Sequence, residues 1–309
     1  MRSALSLNPT YYKALKRLTL EMAGINLGDN HEFLVETRLS ALARKEGFEN
    51  LTAMVDELFS VGQTRLAIHV VSSLLERDTH FFDDRESLDR VIETCLPIMG
   101  QLYKGGTIRV LSFGCSSGQE AVSLAIEIDK VQTRFPDLNI EIVGVDYPSV
   151  AVDRARAGRY THFEVQRGLP IKDLVKYFDR AGEDWVVKES LRKRMSFVDF
   201  HLLSNMKDLG LFNIVTFRNR LSAYSPAARL RVMRSLSAIV NPLGFLALGS
   251  GEDLGGLNLG FKTFKNETSL YRKPEIIEED VVEENIKVPS EKTHFDGAKR
   301  RLRRYNQDS

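Results

Sequence analysis

The sequence predicts an α/β fold: a mostly parallel sheet flanked by helices and preceded by a separate helical domain. Three observations carry that expectation. Residues 104–273 alternate strand and helix signals, the pattern of a sheet joined by crossover helices. Within them, residues 108–125 run from an apolar, β-leaning segment through a small-residue turn into a helix-forming segment. Residues 9–103, by contrast, carry apolar side chains at helical spacing and offer no strand.

The helical part divides into four stripes. Tyr12, Leu15, Leu18, Leu20 and Met22 precede a turn at Gly24, and Phe33, Leu34, Leu39 and Leu42 precede another at Gly47. Leu51, Met54, Val55, Leu58 and Phe59 make the third, and Leu66, Ile68, Val71, Leu74 and Leu75 the fourth. All are expected to be core. A polar segment around two aromatics follows, from Asp78 and Thr79 to Asp83 and Asp84, and reads as a helix start capped by Asp78 or Thr79.

Strands are expected over residues 108–113, 140–145, 194–198, 212–217 and 245–249, with a last one at Ser269 to Arg272. Helices are expected over 120–134, 149–158 and 227–240. The stretch between Gly158 and Val198 is too long for a plain crossover. It reads as an inserted subdomain of a helix and short antiparallel strands, a place for a partner to dock. From Pro274 the composition turns acidic and then basic, a solvated tail with few aromatics.

With 43 basic against 42 acidic residues, the charge balance gives no reason to expect nucleic acid. No apolar run is long enough to span a bilayer, and the start lacks a secretory pattern, so a cytoplasmic protein without membrane insertion is expected. Cys95 and Cys115 form no CxxC pair and the six histidines are scattered, so no metal site is expected.

The turn after the first strand reads Gly114, Cys115, Ser116, Ser117, Gly118. Glycines permit a sharp bend and a close approach by a ligand, and the amides opening the next helix face that ligand. The dinucleotide pattern needs three glycines and the Walker loop a Gly-Lys-Ser/Thr ending; neither is present. The second strand ends in Asp146, where an acid commonly takes a ribose hydroxyl pair. Two readings stay open on spacing alone: a nucleoside site without phosphates, with S-adenosylmethionine the obvious occupant, or a structural turn with a surface aspartate.

Three runs taken together resemble the chemotaxis receptor methyltransferase (CheR) family. They are Gly114 to Glu120 followed by Ser123, Asp146 followed by Ala155 to Tyr160, and Phe217, Arg218, Asn219. The corresponding family runs read approximately GCSTGEEPYS, a strand ending in Asp then A-R-x-G-x-Y, and a strand ending in C-R-N. The resemblance covers about residues 10 to 273. It implies an S-adenosylmethionine-dependent methyltransferase with a Rossmann-like, seven-stranded sheet whose last strand is antiparallel, an N-terminal helical domain and a small β-subdomain insert. The corresponding domains are residues 1–90, 91–273 (insert about 160–198) and a tail over 274–309.

The implied activity is methyl-ester formation on glutamate side chains of a chemoreceptor cytoplasmic domain, or of another signalling protein, leaving S-adenosylhomocysteine; a monomer is expected. The implied cofactor-binding residues are Thr79, Gly114, Gly118, Glu120, Asp146, Arg218 and Asn219, and the implied catalytic residues Arg38, Arg44, Arg218 and Tyr224. Three departures stand out. Asp83 replaces the arginine of the family's T-x-F-F-R, Ala223 stands at the family's tyrosine with Tyr224 one residue late, and His201 stands where an asparagine is expected. Arg220 or Arg85 is the candidate to restore the lost charge. The alternative function is a cofactor-binding module that kept the nucleoside pocket and acts through protein contacts without methyl transfer.

Overall fold

The computed structural model describes residues 8–28, 31–62, 64–75, 79–147, 149–257 and 259–275. Most of the expected tail, and the proposed cap Asp78, lie outside the described residues. The chain forms two compact units. One is built from four helices, α1 (Pro9–Ala23), α2 (Glu32–Lys45), α3 (Leu51–Val61) and α4 (Thr64–Leu75). Residues 79–275 and Ala23–Ile25 belong to the other.

The helical unit buries one face of each helix. Asn50 caps α3 by accepting from the Ala53 amide at 2.9 Å, and Gly62 ends it in the left-handed region. On α2 the buried residues are Val35, Leu39 and Ala43, while Phe33 and Leu34 are exposed, contrary to the expected stripe. Val35, Leu39 and Ala43 repeat every four residues and so share one face, which Phe33 and Leu34 do not.

In the second unit, a helical stretch comes first: α5 (Arg85–Arg90), a π-turn (Val91–Cys95) and α6 (Leu96–Leu102). Asp84, rather than Asp78 or Thr79, caps it, accepting from the Ser87 amide at 3.3 Å. The strands are β1 (Thr107–Phe113), β2 (Asn139–Asp146), β3 (Arg159–Tyr160), β4 (Phe178–Ala181), β5 (Asp184–Val187), β6 (Met195–Asp199), β7 (Phe212–Phe217), β8 (Val240–Leu248), β9 (Lys262–Phe264) and β10 (Glu267–Arg272). Among them stand α7 (Gln119–Val131), α8 (Ser149–Ala157), α9 (His162–Gln166), α10 (Ile171–Tyr177), α11 (Glu189–Arg192) and α12 (Pro226–Ile239).

Seven strands form one sheet in the order β6-β2-β1-β7-β8-β10-β9. β10 runs antiparallel to both its neighbours, and the other pairings are parallel. Both faces are covered: Val110, Ile142 and Ile214 pack on one side with α7, and Leu111, Val143 and Val215 on the other with α12. That double burial is why the strands read as continuous apolar runs instead of alternating ones. The chain runs outward from β1 to β2 and β6, then returns to place β7 on the other side of β1. The order thus reverses at the carboxyl ends of β1 and β7, the position at which ligands of such sheets bind.

The insert is a three-stranded antiparallel sheet in the order β3-β5-β4. Trp185 lies on β5, which is the middle strand and pairs on both sides. A peptide cannot add to a strand whose two edges are taken, so within the insert strand addition is limited to the outer strands β3 and β4.

Candidate functional site

Gly114–Gly118 reverse the chain between β1 and α7. Gly114 and Gly118 sit at φ +76° and +92°, and Ser116 joins them in the left-handed region at +51°. A side chain at Gly118 would begin 3.0 Å from Ala155 Cβ and 3.1 Å from the Tyr160 hydroxyl, so glycine is required for packing as well as conformation. The turn is fixed from outside. The Gly114 and Cys115 amides donate to the Val145 carbonyl at 2.7 and 3.0 Å, and the Tyr160 hydroxyl donates to the Ser117 carbonyl at 2.9 Å.

Asp146, at the end of β2, is buried and turned toward this bend. Its Oδ2 accepts from the Ser116 amide at 2.6 Å, and its Oδ1 from the Tyr147 amide at 2.7 Å. A third group reaches it: Arg220 Nη1 stands 3.3 Å from Oδ2. The surface-aspartate reading therefore falls, since this carboxylate is built into the bend.

Glu120, in the first turn of α7, collects donors from two strands. Oε1 accepts from Ser112 Oγ at 2.8 Å and Thr216 Oγ1 at 2.6 Å, and Oε2 accepts from Arg218 Nε at 2.9 Å. Burial pushes its carboxyl up, but the Arg218 guanidinium and these hydrogen bonds outweigh it and hold the group below the usual range. Arg218 is itself buried, and its remaining nitrogens donate to the Asp84 and Asp83 carbonyls, both at 3.0 Å. This one side chain thus ties the end of β7 to α7 and to the segment before α5. That segment is held elsewhere too, with the Phe81 ring buried edge-on to Tyr160 at 5.0 Å and the Phe82 amide donating to Ser123 Oγ at 2.9 Å.

The structure thus brings Gly114, Gly118, Glu120, Asp146 and Arg218 together at the carboxyl end of the sheet. Thr79 precedes the segment that Arg218 holds. Asn219 follows Arg218 at φ +56°, its amide donating to Glu252 Oε2 at 2.7 Å. Tyr224 is buried, its ring 5.9 Å from Phe217, and its hydroxyl favours the charge on Arg220. Arg38 and Arg44 both lie on α2 in the helical unit; Arg38 Nη1 donates to the Leu74 carbonyl at 2.9 Å, and Arg44 is exposed.

Neither candidate for restoring the lost charge is idle. Arg85 pairs with Asp89 at 2.8 Å and Glu127 at 3.1 Å, and Arg220 with Asp146. Asp83 keeps a half-exposed side chain whose Oδ1 lies 3.7 Å from His80 Nδ1. His201 stacks tilted on Tyr147 with ring centres 4.7 Å apart, and its Nδ1 accepts from the Leu203 amide at 3.3 Å.

Sequence reasoning missed Glu252. Its Oε2 accepts from the Asn219 and Gly249 amides at 2.7 and 2.9 Å, and its Oε1 from the Leu221 amide at 3.0 Å, so it shapes the loop after β7 from the end of β8. The small-residue run Gly249, Ser250, Gly251 before it was the available signal.

The family model described as "CheR methyltransferase, SAM binding domain" matches residues 77–270. A Pseudomonas putida protein named chemotaxis protein methyltransferase Cher2 is 31% identical over 246 residues, covering 78% of this chain and 90% of its own. Chemotaxis protein methyltransferase 1 of Pseudomonas aeruginosa is 32% identical over 248 residues, covering 79% and 90%, and its Vibrio cholerae namesake is 29% identical over 263 residues, covering 84% and 95%. On the strength of a family match over more than half its length, this chain belongs to the CheR methyltransferase family.

Proposed function

We propose that this protein is an S-adenosylmethionine-dependent methyltransferase of bacterial chemotaxis, acting in the cytoplasm on glutamate side chains of a chemoreceptor and forming methyl esters. The observation that carries the reading is the convergence of Asp146 and Glu120 on the glycine bend at the point where the strand order reverses. The residues fit a nucleoside: Asp146 Oδ1 accepts one hydrogen bond, from Tyr147, and a carboxylate oxygen takes about two, so a sugar hydroxyl has an acceptor there. Gly114 and Gly118 place no Cβ of their own at the bend, and Thr79, Glu120 and Asn219 are the further proposed contacts.

When bound, S-adenosylmethionine would supply a methyl carbon activated by the neighbouring sulfonium, open to attack by a carboxylate oxygen without a base, the O–CH3 bond forming as the C–S bond breaks and S-adenosylhomocysteine leaves. A glutamate is already ionised at neutral pH, so the protein's task is to hold that carboxylate in line. Arg38, Arg44 and Tyr224 are the proposed acceptor-side residues. Arg218 acts differently: with Nε, Nη1 and Nη2 all donating within the protein, it is a positioning residue that fixes Glu120 and the Asp83–Asp84 backbone.

A second reading, a nucleoside-binding module without transfer, is favoured by one observation: Asp83 places a half-exposed acid where the family has an arginine, and such a charge repels an incoming carboxylate. The deciding experiment incubates the protein with methyl-labelled S-adenosylmethionine and receptor cytoplasmic domains, scoring base-labile label. Label on the receptor supports the enzyme. Its absence in the wild type, with label gained in Asp83→Arg, supports the module.

A further inference from the structure

Arg220 lies on the glycine bend itself. A side chain built at Gly114 would come within 2.8 Å of Arg220 Cδ and 3.1 Å of both its Nε and Nη1. The space opened by the missing Cβ is therefore filled by the arginine stem. Its guanidinium stands against Asp146 Oδ2, with the two side chains only 14% and 4% exposed. Both ends of this contact belong to the proposed nucleoside site, one as the bend and the other as the sugar-binding acid.

The acceptor count on Asp146 gives the contact its meaning. Oδ2 faces the Ser116 amide and Arg220 Nη1, and Oδ1 faces the Tyr147 amide. A carboxylate offers about four lone-pair positions, which leaves one for a vicinal diol that brings two donors. The second position becomes available only when Arg220 withdraws. The Tyr224 hydroxyl and the carboxylates of Asp146 and Glu120 all favour the arginine's charge where it is.

We propose that Arg220 is a built-in competitor for the nucleoside site: it holds Asp146 and covers the Gly114 backbone in the free protein, and the adenosyl group binds only by displacing it. This rests on the nucleoside-binding reading above and adds to it a residue that sets the apparent affinity. Apparent affinity falls by the fraction of molecules whose site is open, so removing the competitor strengthens binding without adding a contact to the ligand.

The test is calorimetric titration of S-adenosylhomocysteine into the full-length protein, Arg220→Val and Arg220→Gln, with urea unfolding of each to establish that it is folded. Arg220→Val is expected to bind about tenfold tighter or better, and Arg220→Gln, which keeps a donor but not the charge, to fall between it and the wild type. Equal or weaker binding by both folded variants beside a wild type that binds would overturn the competitor role while leaving the nucleoside reading intact. Binding by neither wild type nor variants would overturn both. Binding by Arg220→Val alone would establish the competitor at its strongest.

Discussion

Arg218 shows how a single buried cation can tie three segments of the chain together. Glu120 is its charge partner, one-fifth exposed against 4% for the arginine, and Ser112 and Thr216 complete the carboxylate's hydrogen bonds. Removing one member of a buried pair leaves the other charge without compensation, a far larger loss than the pair's net worth. Glu120→Gln is therefore expected to destabilise the protein by about 3 kcal/mol, read as a lower urea midpoint. The double variant Glu120→Leu with Arg218→Met should unfold at higher urea than Glu120→Gln, because no charge is stranded. A double variant as damaged as the single one would mean that the hydrogen bonds, not the charge pairing, hold this region. The run Phe217, Arg218, Asn219 marked the arginine as important, but its partners are 98 and 134 residues away along the chain and no spacing reveals them.

At the scale of the element, the bend between β1 and α7 was legible because its cause is local. Two glycines four positions apart end an apolar strand and begin a helix, and the observed strand end and helix start fall within one residue of the expected ones. Gly118 combines a left-handed backbone with neighbours at 3.0 and 3.1 Å. Gly118→Ala is accordingly expected to cost about 1–2 kcal/mol from backbone strain alone, with more from Ala155 and Tyr160 having to give way. Urea unfolding measures it, and Gly47→Ala, at φ +82° with open space around its Cβ, isolates the conformational part. Equal losses at the two sites would remove the packing contribution. The insert was only half legible. Its antiparallel strands were foreseen, but the pairing order that puts Trp185 on the middle strand depends on which strands meet across α9 and α10.

At the scale of the molecule, the sheet-bearing unit stores carboxylates whose ionised form the fold favours. Glu120, Glu127 and Asp84 are each pushed up by burial and pulled further down by their partners: Arg218, Lys130 with Arg85, and Ser250 respectively. The unfolded chain takes up these protons at higher pH than the folded one, so the stability they contribute is present above the ordinary carboxylate range and is lost as pH falls through it. The urea midpoint is expected to hold between pH 7 and 5 and to drop progressively below about pH 4.3, and a midpoint that rises there would contradict the assignment. The sequence by itself determined the class of fold, the position of the bend, the acid at the end of the second strand and the family resemblance, because each is written in residues close along the chain. Which groups those acids face was decided only by the tertiary structure. Arg220 and Asp146 lie far apart in sequence and meet because β2 and β7 flank β1, and that meeting turns a residue read as a spare positive charge into an occupant of the site.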